Sequence, residues 1–232
     1  MTGRIYLVPV TLGGDDFFKI IPEKVISLTK QLRFFIVEDI RSARRFLRLI
    51  DKEFPINDTV FFELNEHTPE TDIAQYLEPL FKGSDIGIMS EAGLPGIADP
   101  GARIVALAHE KRITVTPLSG PSSIILALIS SGLNGQNFTF NGYLPVKPAE
   151  RAARLRELEK NAGNGYAQIF METPYRNQKM FNSIITTCNN DTKLCIAVNI
   201  TLPTEAIRTM KISEWKRDLP DLNDKLVVFV LQ

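Results

Sequence analysis

Cysteine and histidine are both scarce in this chain of 232 residues, which contains two of each. Cys188 and Cys195 do not have a metal-ligand spacing, and two cysteines make a poor disulfide framework. With His67 and His109 as the only histidines, a histidine-based zinc site is not expected. The sequence therefore predicts a protein without a metal, in a reducing, cytoplasmic setting.

Long hydrophobic runs and an excess of charge of either sign are also missing. No apolar stretch is long enough to cross a bilayer, and the first residues predict a strand instead of a signal peptide. Lysine plus arginine and aspartate plus glutamate both number 27, which removes the simplest argument for a polyanionic partner. We therefore expect no contact with a membrane. The balanced net charge does not indicate an RNA substrate.

What the sequence does contain is an alternation of short strand and helix patterns over its first half. Apolar strand patterns occur at 5–10, 34–37, 60–64, 85–89 and 113–116, and helical patterns at 22–32, 42–50, 68–81 and 100–111. This alternation predicts a mostly parallel sheet covered by helices on both faces. The first domain is predicted to span residues 1–118.

The second half, residues 119–232, predicts a domain of a different kind. Strand patterns occur at 138–143, 166–172, 193–199, 205–211 and 226–231, with helical patterns at 122–131, 148–160 and 178–187. Several of these strands follow one another without a helix, so we expect antiparallel pairs and a mixed sheet. The helix at 122–131 is almost wholly apolar and is predicted to be buried on most sides.

The stretch from Ser90 to Ser123 stands out because small residues are concentrated in two loops. The first reads S-E-A-G-L-P-G-I-A-D-P-G after the predicted strand 85–89, and the second covers residues 117–123. Such loops bring bare backbone groups to the carboxyl edge of a sheet, where open α/β sheets bind ligands. The alternative is a pair of ordinary turns, with Asp99 as N-cap and Pro100 as the first helical residue.

Two further places at the predicted strand ends admit both a functional and a structural interpretation. Gly13-Gly14 follows the first strand and suggests a nucleotide site, although neither G-x-G-x-x-G nor a Walker lysine is present. Glu38 and Asp39 follow the second strand, where they could face a ligand or cap the next helix.

Several motifs together resemble those of the tetrapyrrole (corrin/porphyrin) methylase superfamily. In order they are S-E-A-G-L-P-G-I-A-D-P-G, P-L-S-G-P-S-S, N-G-Y-L-P and F-M-E-T-P-Y-R. The chain is most similar to a short branch that resembles the 2′-O-ribose methyltransferases of small-subunit ribosomal RNA. The resemblance covers nearly the whole chain and implies a two-domain class III methyltransferase-like α/β fold with a cleft between the domains. It also implies S-adenosylmethionine as cofactor, a homodimer, and ribosomal RNA or the small ribosomal subunit as partner.

Matched residue by residue, the resemblance implies a cofactor site drawn from six short segments. They are Pro9 and Val10; Ser90, Glu91, Ala92, Gly93 and Pro95; Ile97, Ala98 and Asp99; Gly120, Pro121, Ser122 and Ser123; Phe170, Met171 and Glu172; and Thr201 and Leu202. No catalytic residue is assigned. Glu38, Glu91 and Glu172 are the carboxylates considered as a general base.

Two places depart from the ribose methyltransferase pattern. The first-strand loop reads P-V-T-L-G-G instead of T-P-I-G-N, and A-V-N-I-T-L stands where A-R-E-L-T-K is typical. Two alternatives therefore stay open. One is a methylase of a small, tetrapyrrole-like molecule, favoured by the balanced charge. The other is a cofactor-binding protein without catalysis, motivated by the Arg and Glu that are missing near Asn199 and Ile200. For an RNA substrate the candidate phosphate contacts, which are otherwise solvated helix faces, are Arg41, Arg44, Arg45, Arg48, Lys147, Arg151, Arg154 and Arg176.

Overall fold

The computed structural model of the chain describes residues 2–65 and 67–232. The chain divides into two compact units, Met1–Ser122 and Ser123–Gln232. Each unit has its own five-stranded sheet with helices packed against it. One sheet is parallel and the other is mixed, which confirms the predicted fold class.

The sheet of the first unit is parallel throughout. Its strands are β1 (Ile5–Leu7), β2 (Phe34–Val37), β3 (Val60–Glu63), β4 (Ile86–Met89) and β5 (Val115–Pro117), in the order β3-β2-β4-β1-β5. Ile5 in β1 lies opposite Ile86 on one side and Val115 on the other. Because the strands share one direction, the loops that follow them emerge at one edge of the sheet.

The helices of the first unit cover both faces of this sheet. They are α1 (Glu23–Thr29), α2 (Ile40–Ile50), α3 (Glu70–Tyr76), α4 (Glu78–Phe81) and α5 (Gly101–Glu110). Successive strand side chains point to opposite faces, so Phe35 packs in the same buried cluster as Leu47 of α2, while Ile36 packs in the cluster of Ile104 of α5. The apolar runs of β2 and β4 therefore form two cores instead of one.

The sheet of the second unit is mixed. Its strands are β6 (Phe138–Tyr143), β7 (Ala167–Met171), β8 (Lys193–Val198), β9 (Ala206–Lys211) and β10 (Val227–Leu231), in the order β6-β7-β10-β8-β9. Only the β6–β7 pair is parallel among these described strands. The helices are α6 (Ser123–Ser131), α7 (Pro148–Gly163), α8 (Asn177–Thr187) and α9 (Ile212–Trp215). The indole of Trp215 is buried and donates a hydrogen bond to the Leu194 carbonyl, 2.9 Å away.

Several sequence-based expectations differ from the structure. The predicted helix at 68–81 is divided into α3 and α4, because Pro79 lacks an N–H and its ring disfavours a continuous helix. The first strand ends at Leu7 instead of Val10. Helix α6 is not buried on most sides, since Ile125 and Ile129 are 41% and 69% exposed.

Candidate functional site

The loops after β1 and β4 are joined by backbone hydrogen bonds at the carboxyl edge of the parallel sheet. The Val10 amide donates to the Gly93 carbonyl (2.9 Å), and the Gly93 amide donates to the Thr11 carbonyl (3.4 Å). These bonds hold two of the predicted cofactor segments side by side.

The loop after β5 packs against both of the others through two glycines. A Cβ atom added at Gly120 would lie 2.1 Å from the Pro9 Cβ, and one added at Gly93 would lie 3.1 Å from the Pro121 carbonyl oxygen. Gly93 also has a φ of +73°, which favours glycine. The absence of side chains at these two positions is what lets three loops meet, and the two glycine-bearing loops predicted from the sequence are neighbours.

Asp99 holds the long loop after β4 in shape. One carboxylate oxygen, Oδ2, accepts hydrogen bonds from the amides of Gly96 (2.6 Å) and Ile97 (3.2 Å), and Oδ1 accepts one from Gly101 (2.6 Å). Helix α5 begins at Gly101, with Pro100 at its N-cap position, so Asp99 lies one residue earlier than the capping interpretation predicts. Its carboxylate therefore links the loop to the start of the helix.

Several backbone amides of the loop after β4 have no hydrogen-bond acceptor among the described residues. Those of Ala92, Leu94 and Ala98 make no hydrogen bond within the described part of the chain. Ala98 has a φ of 61°, a left-handed conformation that residues other than glycine seldom adopt. A loop that is fixed by Asp99 yet leaves amides unpaired is suited to bind a polar ligand through its backbone.

Glu38 and Asp39, which follow β2, have different roles. The Asp39 carboxylate accepts a hydrogen bond from the Ser42 amide (2.7 Å), which lowers the pKa of Asp39 and confirms the capping interpretation for this residue. Glu38 instead reaches the loop after β4, where its Oε2 accepts the Glu91 amide at 3.3 Å. Burial raises the pKa of Glu38, and the nearby carboxylates of Glu91 and Asp99 raise it further.

A cavity of about 190 Å³ lies between these loops and helix α2. It is lined by residues of the segment after β1, by one side of α2 including Arg45, and by Ser90 and Glu91. The sequence predicts Arg45 as a phosphate contact or as part of a solvated helix face, without connection to a cavity. The available signal was the Gly13-Gly14 turn, since both glycines line the cavity.

In the second unit, two predicted cofactor residues are already engaged within the fold. Glu172 is buried, and its Oε1 accepts hydrogen bonds from Arg176 Nη2 (2.6 Å) and from the Thr173 amide (2.7 Å). The Phe170 ring lies in the core, stacked on Phe229 with a centroid separation of 5.5 Å. Phe170 can therefore offer a ligand only its backbone.

One edge of the second sheet holds three other predicted cofactor residues, Met171, Thr201 and Leu202. Met171 pairs with Val228, and Val198 pairs with Val227, so the ends of β7 and β8 lie on either side of the start of β10. Beyond β8, Thr201 has a φ of 70°, and its buried hydroxyl has no hydrogen-bond partner among the described residues. The second unit thus also gathers its predicted segments at one edge.

The four candidate phosphate contacts of the second unit make internal contacts. Arg151 is buried and donates to Ser183 Oγ (2.9 Å) and to a backbone carbonyl. Arg154 pairs with Glu157 at 2.6 Å, and exposed Lys147 lies 3.1 Å from a glutamate on the same helix. Arg176 pairs with Glu172, as described above. These four are poorer candidates for phosphate contacts than the sequence alone indicated.

The arginines of α2 are all exposed, and no acidic residue lies in the first turn of this helix. Arg44 lies over the Phe61 ring, with its Cζ 5.3 Å from the ring centroid, and Arg48 donates to a carbonyl just beyond the helix. Arg41 lies near Asp39 and contributes to the lowered pKa of that carboxyl. Arg45 makes no ion pair or hydrogen bond with any described residue.

Residues 2–65 and 67–232 contain no group of three or more histidine, cysteine or acidic side chains placed to hold a metal ion. Within the same residues, no helix is both long and apolar enough to span a bilayer.

Taken together, these features are those of an α/β protein of two units with a candidate ligand site at the carboxyl edge of a parallel sheet. The model of the family Tetrapyrrole (Corrin/Porphyrin) Methylases matches residues 5–216, and the chain belongs to this family. The protein is therefore a methyltransferase, and its reaction requires a methyl donor.

Curated relatives of the chain confirm the resemblance read from the motifs. Ribosomal RNA small subunit methyltransferase I of Vibrio cholerae is 29% identical over 212 residues, which cover 90% of this chain and 69% of that protein. Proteins of the same name from Micromonospora olivasterospora and Streptococcus pyogenes are 30% and 31% identical. Each alignment covers 92% of this chain, and 64% and 70% of the relative. The chain thus spans about two thirds of the length of these relatives.

Proposed function

We propose that the protein transfers a methyl group from S-adenosylmethionine to RNA of the small ribosomal subunit, at a ribose 2′-hydroxyl. The names of the curated relatives support the ribosomal acceptor. The observation that carries the proposal is the packing of three loops at one sheet edge, since two of these loops contain two of the four motifs on which the resemblance depends.

The first unit fits such a cofactor through its backbone. The amides of Ala92, Leu94 and Ala98 are unpaired donors, and the carboxylate of Asp99 keeps their loop in one conformation. When bound, S-adenosylmethionine supplies a methyl group that is already electrophilic. The protein then mainly has to orient the acceptor and exclude water, and well-oriented reactants can account for about 7–11 kcal/mol of a barrier.

A ribose hydroxyl must lose its proton as it is methylated, and a general base typically contributes roughly 10²–10⁴-fold. Of the three carboxylates considered, Glu172 is buried against Arg176 and is a poor choice. Glu38 and Glu91 lie together at the sheet edge, linked by the Glu91 amide. Glu91 lines the cavity beside α2 and Glu38 does not, so Glu91 is the better placed of the two to take this proton.

Calorimetric titration with S-adenosylmethionine tests the cofactor part of the proposal. Asp99→Asn removes the charge that holds three loop amides, so we expect the affinity to fall by about tenfold. Asp85→Asn is the matched control, because Asp85 accepts a single amide, that of Arg4 (2.8 Å), at the opposite end of β4. Equal affinities for the two variants would contradict the assignment of this loop.

Transfer of labelled methyl groups tests the acceptor. We expect incorporation into ribosomal RNA when stripped small subunits are the substrate. The balanced charge favours a second candidate, a methylase of a small molecule. Label in a metabolite extract but never in ribosomal subunits would decide for that candidate, and no turnover on either, with intact cofactor binding, would indicate a binding protein without catalysis.

The family resemblance also leads us to propose that the protein forms a homodimer. Because we propose a ribosomal acceptor, we also propose that the protein acts in the cytoplasm. Sedimentation velocity gives the oligomeric state directly. A monomer at micromolar concentration would contradict the dimer without affecting the methyl-transfer proposal.

A further inference from the structure

The cavity beside α2 is adjacent to the predicted cofactor loops without being enclosed by them. It shares Val10, Ser90 and Glu91 with the predicted cofactor set, but no residue of the loop 117–123 lines it. A methyl acceptor has to lie next to the donor, in line with the bond that breaks. A cavity that borders the loop after β4 from the side of α2 is in the right place for the acceptor.

The lining of this cavity suits an anion at one position. Arg45 is exposed and unpaired among the described residues, so its guanidinium is available to an incoming ligand. The amides of Gly13 and Gly14 also make no hydrogen bond in the described chain, and both residues line the cavity. A planar cation with neighbouring backbone donors is a recurrent arrangement for phosphate.

Two carboxylates, Asp15 and Glu91, line the same cavity. They would repel a ligand that carries only negative charge, but they accept hydrogen bonds from hydroxyl groups. A ribonucleotide offers both features, a phosphate for Arg45 and ribose hydroxyls for carboxylates. The mixed lining therefore favours a sugar phosphate over a free polyanion.

The volume limits the ligand further. Pockets for drug-sized ligands typically measure about 300–1,000 Å³, whereas this cavity measures about 190 Å³. A volume below this range suits one unit of a polymer better than a tetrapyrrole macrocycle.

We propose that this cavity binds the acceptor nucleotide of an RNA chain, with Arg45 and the amides of Gly13 and Gly14 on a phosphate and with Asp15 and Glu91 facing the ribose. This inference rests on the proposed function, because it assumes an RNA acceptor. It assigns to Arg45 a role different from that of the other arginines of α2.

Fluorescence anisotropy with a labelled single-stranded RNA oligonucleotide tests the role of Arg45 without requiring turnover. Arg45→Gln should weaken binding by about tenfold. It should also reduce the slope of log affinity against log salt by about 0.7, the value for one phosphate contact on a single strand. Arg48→Gln is the matched control, since Arg48 lies one turn away on the same helix and does not line the cavity. S-adenosylmethionine affinity should be unchanged in both variants.

The other outcomes distinguish failure of the inference from failure of the proposed function. Equal losses in the two variants would mean that α2 is a general basic surface, and no loss in either would mean that the phosphate binds elsewhere. Weaker S-adenosylmethionine binding in Arg45→Gln would assign the cavity to the cofactor. Absence of RNA binding by the native protein would remove the inference, whereas RNA binding without methyl transfer to ribosomal subunits would contradict the proposed function alone.

Discussion

Replacing Gly93 by alanine should separate the three loops that meet at the edge of the parallel sheet. The new Cβ would lie 3.1 Å from the Pro121 carbonyl oxygen and 3.0 Å from Leu12 Cδ2. The leucine side chain can move, but the carbonyl belongs to the backbone of the neighbouring loop. Gly96→Ala provides the matched control, because Gly96 also has a positive φ, of +87°, and an added Cβ there has no neighbour within 4 Å.

The magnitude follows from separating two costs. A left-handed conformation costs a residue with a Cβ about 1–2 kcal/mol, and this cost applies to both variants. The close approach to Pro121 applies to Gly93 alone, and overpacking of this kind typically costs about 1–3 kcal/mol. We therefore expect Gly93→Ala to lose about 2–5 kcal/mol of unfolding free energy and Gly96→Ala about 1–2 kcal/mol.

Urea denaturation followed by circular dichroism measures the difference between the two variants. The change at Gly93 should also weaken S-adenosylmethionine binding, because the loop after β4 would have to move away from the loop after β5. If Gly93→Ala proves as stable as Gly96→Ala, the loops do not pack as described and the reasoning is refuted.

Three further predictions concern single side chains. Arg176→Ala leaves the buried Glu172 carboxylate without its cation and should cost about 3 kcal/mol in urea denaturation followed by tryptophan fluorescence; a loss below about 1 kcal/mol would contradict this. Asp39→Ala removes a helix cap and should cost about 1 kcal/mol at neutral pH. The pKa of Asp39 is lowered in the folded state, so the stability that this carboxylate contributes is present above its unfolded pKa of about 3.9 and is lost as the pH falls through the folded pKa. A stability difference between Asp39→Ala and the native protein that persists in strong acid would contradict this role. Burial raises the pKa of Cys188 to about 12, so a thiol reagent should modify it slowly at neutral pH until urea is added, and rapid native labelling would be the contrary result.

The sheets could be predicted from the sequence because most strands are short apolar runs, and β6 and β9 alternate apolar with polar residues. Phe34–Val37 and Phe138–Tyr143 have the predicted bounds. The outward face of α6 could not be predicted, since Ile125 and Ile129 have the same apolar character as its buried residues. Hydropathy measures what a side chain prefers, but not how much of it the neighbouring elements cover.

Only part of the candidate site could be predicted from the sequence, because a residue's neighbours in the fold are again not visible in its type. Small residues at strand ends indicate where loops can approach, and Gly93 and Gly120 do allow close contact. The partners of charged residues are fixed by tertiary structure. The sequence therefore indicated a phosphate contact or a solvated helix face for Arg151, although this side chain is buried against Ser183. The position of Arg45 beside a cavity could not be predicted, because segments far apart in the chain form that cavity.

The central position of β1 has a consequence for how the chain is made. Ile5 pairs with Ile86 and with Val115, so the first strand leaves the ribosome at least 81 residues (86 minus 5) before either neighbour. At synthesis rates of about 5–20 residues per second, this strand waits about 4–16 s with its edges unsatisfied. Slowing translation between β1 and β4 should therefore increase the demand of the nascent chain for chaperones, while slowing it after β5 should not.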